Sequence, residues 1–213
     1  MDSERNVTML EAATYTIVML LANVAGTLFL FLFNAIVKQL IGDEGMEKFY
    51  VFLVALFAVV GMAVSLLLIR FYFRYKIPDI VPKNSGDQDK RKLILKNFLF
   101  MVLPGEILRF ILASLPTKSG YILGRGYRFF DGIFAFPPNF VYDRIWLMPN
   151  NRMQSIDKYG YTFTDNILFI AVYLVYFILN LFLMYLIFSK VWNQYEKERK
   201  NEFKIHMDPE QMK

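Results

Sequence analysis

Asn97 to Leu115 reads NFLFMVLPGEILRFILASL, an apolar run interrupted by Pro104-Gly105-Glu106 and, three residues later, by Arg109. On an insertion scale a central Arg costs about 2.5 to 3.5 kcal/mol, whereas each Leu, Ile or Phe returns only about 0.3 to 0.6. Alone, this segment is a poor membrane helix, and it needs neighbours to be stable. Whether it crosses decides between three spans and four.

The sequence on either side is less ambiguous. Tyr15 to Val37 and Ile167 to Ser189 are each uncharged over 23 residues, and Tyr50 to Ile69 is uncharged up to Arg70. About 20 such residues at 1.5 Å each cross a hydrocarbon core of roughly 30 Å. Buried helices of soluble domains seldom need that length. Apolar residues make up 56% of the 213-residue chain and its mean hydropathy is +0.35, which argues against a water-soluble fold. The expected fold is therefore an all-α integral membrane protein forming a single domain. Its four helices fall at about 15–37, 50–69, 97–115 and 167–189.

Several punctuating residues refine this outline. Lys38 to Phe49, with Gly42-Asp43-Glu44-Gly45, reads as a polar turn that makes the first two helices an antiparallel hairpin. Arg70-Phe71-Tyr72-Phe73-Arg74-Tyr75-Lys76 mixes rings and long cations as at a headgroup layer. Ile77 to Lys92, with Pro78 and Pro82, reads as a solvated loop. Pro104 at N1 and Glu106 at N3 would open a new helical segment, and Thr164 or Asp165 is placed to cap the last helix. After Ser189 a charged tail is expected to be a frayed helix that becomes disordered.

Charge sets the expected topology. Lys and Arg number one in residues 1–14, two in 38–49, eight in 70–96, six in 116–166 and six in 190–213. Four helices place 1–14, 70–96 and 190–213 in the cytoplasm and 116–166 outside, as the positive-inside bias favours, while three helices would split the two basic stretches that flank the apolar runs. The net charge of +5 is explained by this placement, so no nucleic-acid partner is expected. The first run is too long for a signal-peptide core and reads as a retained span. Composition leans towards a bacterial cytoplasmic membrane.

Chemistry-bearing residues are few. The chain has no Cys and one His, His206, in the tail, which removes thiol chemistry and leaves little scope for His-based catalysis or ligation. No catalytic residue, metal site or cofactor is expected. Asn6-Val7-Thr8 is a glycosylation sequon, but the topology puts it on the cytoplasmic side. The candidate intramembrane site is Glu106 with Arg109, which share a helical face at i, i+3. Asn23 and Asn34 on the first helix, and Tyr173 and Asn180 on the last, are further polar candidates. Ala22 with Gly26 and Gly61 with Ser65 are small-residue pairs that let helices approach.

The segment 116–166 is rich in aromatic residues and Arg. Arg125, Arg128, Phe129, Phe130, Asp131 and Trp146 are its candidate contacts to headgroups or a partner. Its Gly124-Arg125-Gly126 lacks the Lys-Ser/Thr of a phosphate loop.

Three functions fit these residues. The first is a non-enzymatic subunit or accessory component of a membrane complex, with the bilayer and a protein partner or second copy as its contacts. The second is an oligomeric transporter or channel, with Glu106, Arg109, Asn23 and Asn180 along a polar path. The third is a lipid-modifying enzyme, with Asp131 or Glu106 as base near Arg125 and Arg128.

Overall fold

Long runs of Leu, Phe, Ala and Met satisfy their backbone internally as helix, and the computed structural model is helical throughout its regular structure. It describes residues 7–81, 90–114, 141–142 and 162–206. Four long helices result: α1 (Met9–Lys48), α2 (Tyr50–Ile80), α3 (Lys90–Ser114) and α4 (Phe163–His206). Met9–Gly42, Phe52–Ile80 and Phe163–Asn201 are long and apolar enough to cross a membrane, so this is a membrane-embedded helical protein. α3, 25 residues long, is not among them, and Glu106 and Arg109 interrupt its apolar run.

Helix ends differ from expectation wherever tertiary burial outweighs a local breaker. The turn foreseen over Lys38 to Phe49 is mostly helix, and the chain is redirected at Gly42, whose φ of 68° and ψ of 179° suit glycine alone. α2 runs past Arg70 to Ile80 and accommodates Pro78. Ile77, Ile80 and Val81 are buried there, and that burial offsets the lost hydrogen bond. α3 begins at Lys90, seven residues before the expected start, and passes Pro104 without opening a new segment. α4 continues through the charged stretch to His206.

Both α1 and α4 open on reciprocal caps. Thr8 Oγ1 accepts from the Glu11 backbone N–H at 3.4 Å, while Glu11 Oε2 accepts from the Thr8 N–H at 2.7 Å. At α4 the cap is Thr162, not Thr164 or Asp165. Thr162 Oγ1 accepts from the Asp165 N–H at 3.3 Å, and Asp165 Oδ2 accepts from the Thr162 N–H at 3.0 Å.

Contacts between helices fix the arrangement. The Ser65 hydroxyl donates to the Ala22 carbonyl at 3.1 Å, and Tyr72 OH to the Glu11 carbonyl at 3.3 Å, so α1 and α2 are antiparallel. The small-residue faces of Ala22 and Gly61/Ser65 do meet. Val7 donates to Asn97 Oδ1 and Gly105 lies against Thr16, so α3 runs parallel to α1. Phe98 meets Phe188 and Phe110 meets Phe177, which sets α3 antiparallel to α4. Each helix packs on two neighbours in an up-down-up-down bundle, with α1 diagonal to α4.

The main core joins all four helices around Tyr15, Phe73, Ile77, Phe98, Met101, Phe188 and Trp192. A smaller cluster of Leu30, Leu53 and Phe57 holds α1 to α2 nearer their connection. The best-packed part of the described structure thus lies towards the basic end of the bundle.

α3 meets α1 closely at Gly105. A Cβ there would stand 2.5 Å from Thr16 Oγ1, which is pinned by donating to the Ala12 carbonyl at 2.9 Å. Gly105→Ala is expected to destabilise the protein by about 1 to 3 kcal/mol through overpacking. Adding Thr16→Ala should restore most of the loss. Thermal unfolding in mild detergent measures both, and a double variant no more stable than Gly105→Ala would refute the contact.

Candidate functional site

From Asn97 to Ile111 the inward face of α3 carries the polar residues. Asn97, Gly105, Glu106 and Arg109 are buried, whereas Leu99, Phe100, Pro104, Ile107, Leu108 and Ile111 are exposed. This inverts the polarity of a surface helix in water. Asn97 also bonds back to the Leu93 carbonyl at 3.0 Å, so its side chain links α3's own turn to the start of α1.

One turn apart on that face, Arg109 Nη1 and Glu106 Oε2 form an ion pair at 3.3 Å, with each residue at most 2% exposed. Helices α1 and α4 close around it. Tyr15 OH lies 3.5 Å from Glu106 Oε1 and 3.0 Å from Met184 Sδ, so its one proton can serve either acceptor. Asn180 is a further hydrogen-bond partner of Glu106. The guanidinium carbon stands 5.3 Å from the ring centre of Tyr176 and 5.8 Å from that of Tyr173, within cation–π range. Arg109 Nη1 is also 3.8 Å from Met19 Sδ.

Methionine sulfurs link the second layer. Asn23 Nδ2 donates to Met19 Sδ at 3.2 Å and Asn180 Nδ2 to Met184 Sδ at 3.9 Å. Tyr15 in turn stacks on Phe73 of α2 with ring centres 6.0 Å apart, so the network touches every helix.

Five of the expected intramembrane residues are therefore brought together: Glu106, Arg109, Asn180, Tyr173 and, through Met19, Asn23. Asn34 is not among them. It lies half-buried on α1 roughly 16 Å beyond Asn23 at 1.5 Å per residue. Arg125, Arg128, Phe129, Phe130, Asp131 and Trp146 fall outside the described residues. Tyr15, Met19, Tyr176 and Met184 belong to the site without having been singled out. Their spacing of four with Asn23 and Asn180 was the available sign.

Glu106 and Arg109 are level with Tyr15 and Met19, within about two turns of the start of α1's uncharged run. They sit near the end of the bundle that carries Arg70, Arg74, Lys96 and Lys190.

Beyond that level a second polar contact ties α3 to α4. Glu196, itself buried, accepts from Trp192 Nε1 at 2.8 Å and pairs with Lys90 Nζ at 2.5 Å. Among the described residues no three His, Asp or Glu side chains converge as metal ligands.

Chemically, the central arrangement is a neutral, closed junction. Charge on Arg109 is met by Glu106 and two ring faces, and charge on Glu106 by Arg109, a phenol and an amide. Compared with known proteins, the chain matches no family model, no curated protein and no solved structure at a significant level.

Proposed function

We propose that this is a four-helix membrane protein, with both ends on the cytoplasmic side, that serves as a non-enzymatic subunit or accessory component of a membrane assembly. The observation that carries the reading is the occupation of the Glu106–Arg109 pair by residues of the bundle itself. Charges set aside for a moving solute need exchangeable partners, whereas these bind helices together. That supports a fixed junction over a transport path.

The outward strip of α3 supports counting it as a fourth membrane helix. From Leu99 to Ile111 the exposed side chains are apolar, and the two charges within that strip, Glu106 and Arg109, face inward. Arg91, Lys92 and Lys96 precede that strip and lie at the same end as Arg70, Arg74 and Lys190. The positive-inside bias assigns this end to the cytoplasm.

The absence of Cys makes a test direct, because single introduced thiols label without background. In intact cells an impermeant maleimide should label Ser119→Cys, and should reach Ser85→Cys only after permeabilisation. Crosslinking in the native membrane should also capture one partner, or a second copy, in fixed ratio. Labelling of both thiols in intact cells would overturn the topology. A stable monomer that crosslinks to nothing would overturn the subunit role.

A further inference from the structure

We infer that α4 carries α3 across the membrane: the basic tail of α4 fixes that helix with its start outside, which obliges α3 to cross, and side chains of α4 then hold it there. This rests on the proposed placement of both chain ends in the cytoplasm.

Nothing in the composition of α3 sends it across unaided. Arg91, Lys92 and Lys96 precede its apolar run, and Glu106 and Arg109 interrupt it. α4 differs in kind, being long and apolar enough to cross a membrane by itself.

The α1–α2 hairpin returns the chain to the cytoplasm at Arg70. From there α4 can cross in either of two senses. If α3 crosses first, α4 begins outside, and Lys190, Lys197, Arg199, Lys200 and Lys204 stay inside. If α3 stays behind, α4 must cross in the opposite sense and export all five. Cations within about 15 to 20 residues of an apolar run are the ones that orient it, and these five qualify. Against their export stand only one Glu and one Arg on α3, which neutralise each other as an ion pair. The balance favours the crossing of α3.

Only that arrangement allows the contacts between the two helices. Phe188 meets Phe98, Asn180 is a hydrogen-bond partner of Glu106, the rings of Tyr173 and Tyr176 face Arg109, and Phe177 meets Phe110. From Phe98 to Phe110, about 18 Å of helix, α3 is lodged against α4 at each turn where it buries an aromatic or charged group. Orientation and packing therefore act through the same helix.

Single thiols in the full chain, labelled in intact cells with an impermeant maleimide and read per chain in the membrane fraction, test this. With no other change, Ser119→Cys should label and Asn201→Cys, exposed on the cytoplasmic part of α4, should not. Lys190→Gln/Lys197→Gln/Arg199→Gln/Lys200→Gln/Lys204→Gln should lower the labelling of Ser119→Cys at least about threefold and make Asn201→Cys reactive to a matching extent. Adding Glu106→Leu/Arg109→Leu to the neutralised tail should return Ser119→Cys to at least about half of its original labelling, because α3 then crosses on its own composition.

Unchanged labelling of Ser119→Cys with the neutralised tail would overturn the dependence of α3 on α4. So would its loss with Asn201→Cys still shielded, since α4 would not have turned round. Failure of Glu106→Leu/Arg109→Leu to restore labelling would overturn it too, because the charges of α3 would not be the obstacle. The chain with its native tail separates these results from failure of the topology itself: Asn201→Cys labelled from outside there would overturn both.

Discussion

Arg109→Leu is expected to destabilise the protein by about 3 to 5 kcal/mol, because it leaves Glu106 buried with its counter-charge gone. Glu106→Leu should cost a similar amount by leaving the buried guanidinium without its counter-charge. The double variant Glu106→Leu/Arg109→Leu is the informative one. Replacing a whole buried pair with apolar residues of similar size is often neutral or stabilising, so the double variant should be more stable than either single one. Thermal unfolding in mild detergent gives all three values. A pattern in which each single change is silent would mean that water or solute already reaches the pair, which would favour a transport path. Additive losses in the double variant would mean that the two side chains act through separate contacts and not as one junction.

Trp192→Ala is expected to have a comparable effect for a different reason. The indole is fully buried, packs on Phe188 with ring centres 5.9 Å apart, and donates to Glu196. Truncation leaves a cavity and deprives a buried carboxylate of a donor, together about 3 to 5 kcal/mol. Trp192→Phe should keep much of the packing and lose mainly the hydrogen bond, about 1 to 2 kcal/mol. Hydrogen exchange locates the damage: residues 90–98 of α3 should open first in Trp192→Ala, because two of their links to α4 lean on the indole, Lys90 through Glu196 and Phe98 through Phe188. Opening confined to α4 would show that Lys90 is not held through this carboxylate. Lys90 is itself partly exposed, so Lys90→Ala should be milder than either tryptophan change.

These two sites also show what the sequence made legible. The three long apolar helices could be read because composition is local: twenty uncharged residues in a row carry their meaning without knowledge of their neighbours. Helix ends could not. Arg70 and Lys190 mark where the uncharged runs stop, yet α2 and α4 continue because Phe73, Ile77, Ile80 and Trp192 find partners on other helices. Pro78 and Pro104 look like breakers until the burial around them is known. Gly42 turned the chain as its residue type allows, but at one residue instead of through a loop.

The site was half visible. Glu106 and Arg109 could be paired from their i, i+3 spacing, which is a property of one helix. Tyr15, Tyr176 and Met184 could be added only once the register between helices was fixed, since nothing in their own segments sets which level of α3 they meet. Asn34 has the same residue type and the same helix as Asn23, and simply lies too far along α1 to take part.

The inverted polarity of α3 bears on the order in which the molecule can be completed. Translation delivers α1 and α2 first, then α3, and α4 last. When Glu106 and Arg109 leave the ribosome, Tyr15 and Met19 already exist, but Asn180, Tyr173 and Tyr176 have yet to be made. The third helix therefore begins life as the least lipid-compatible piece of the chain, and the surroundings that make its charges tolerable are finished only by the final one.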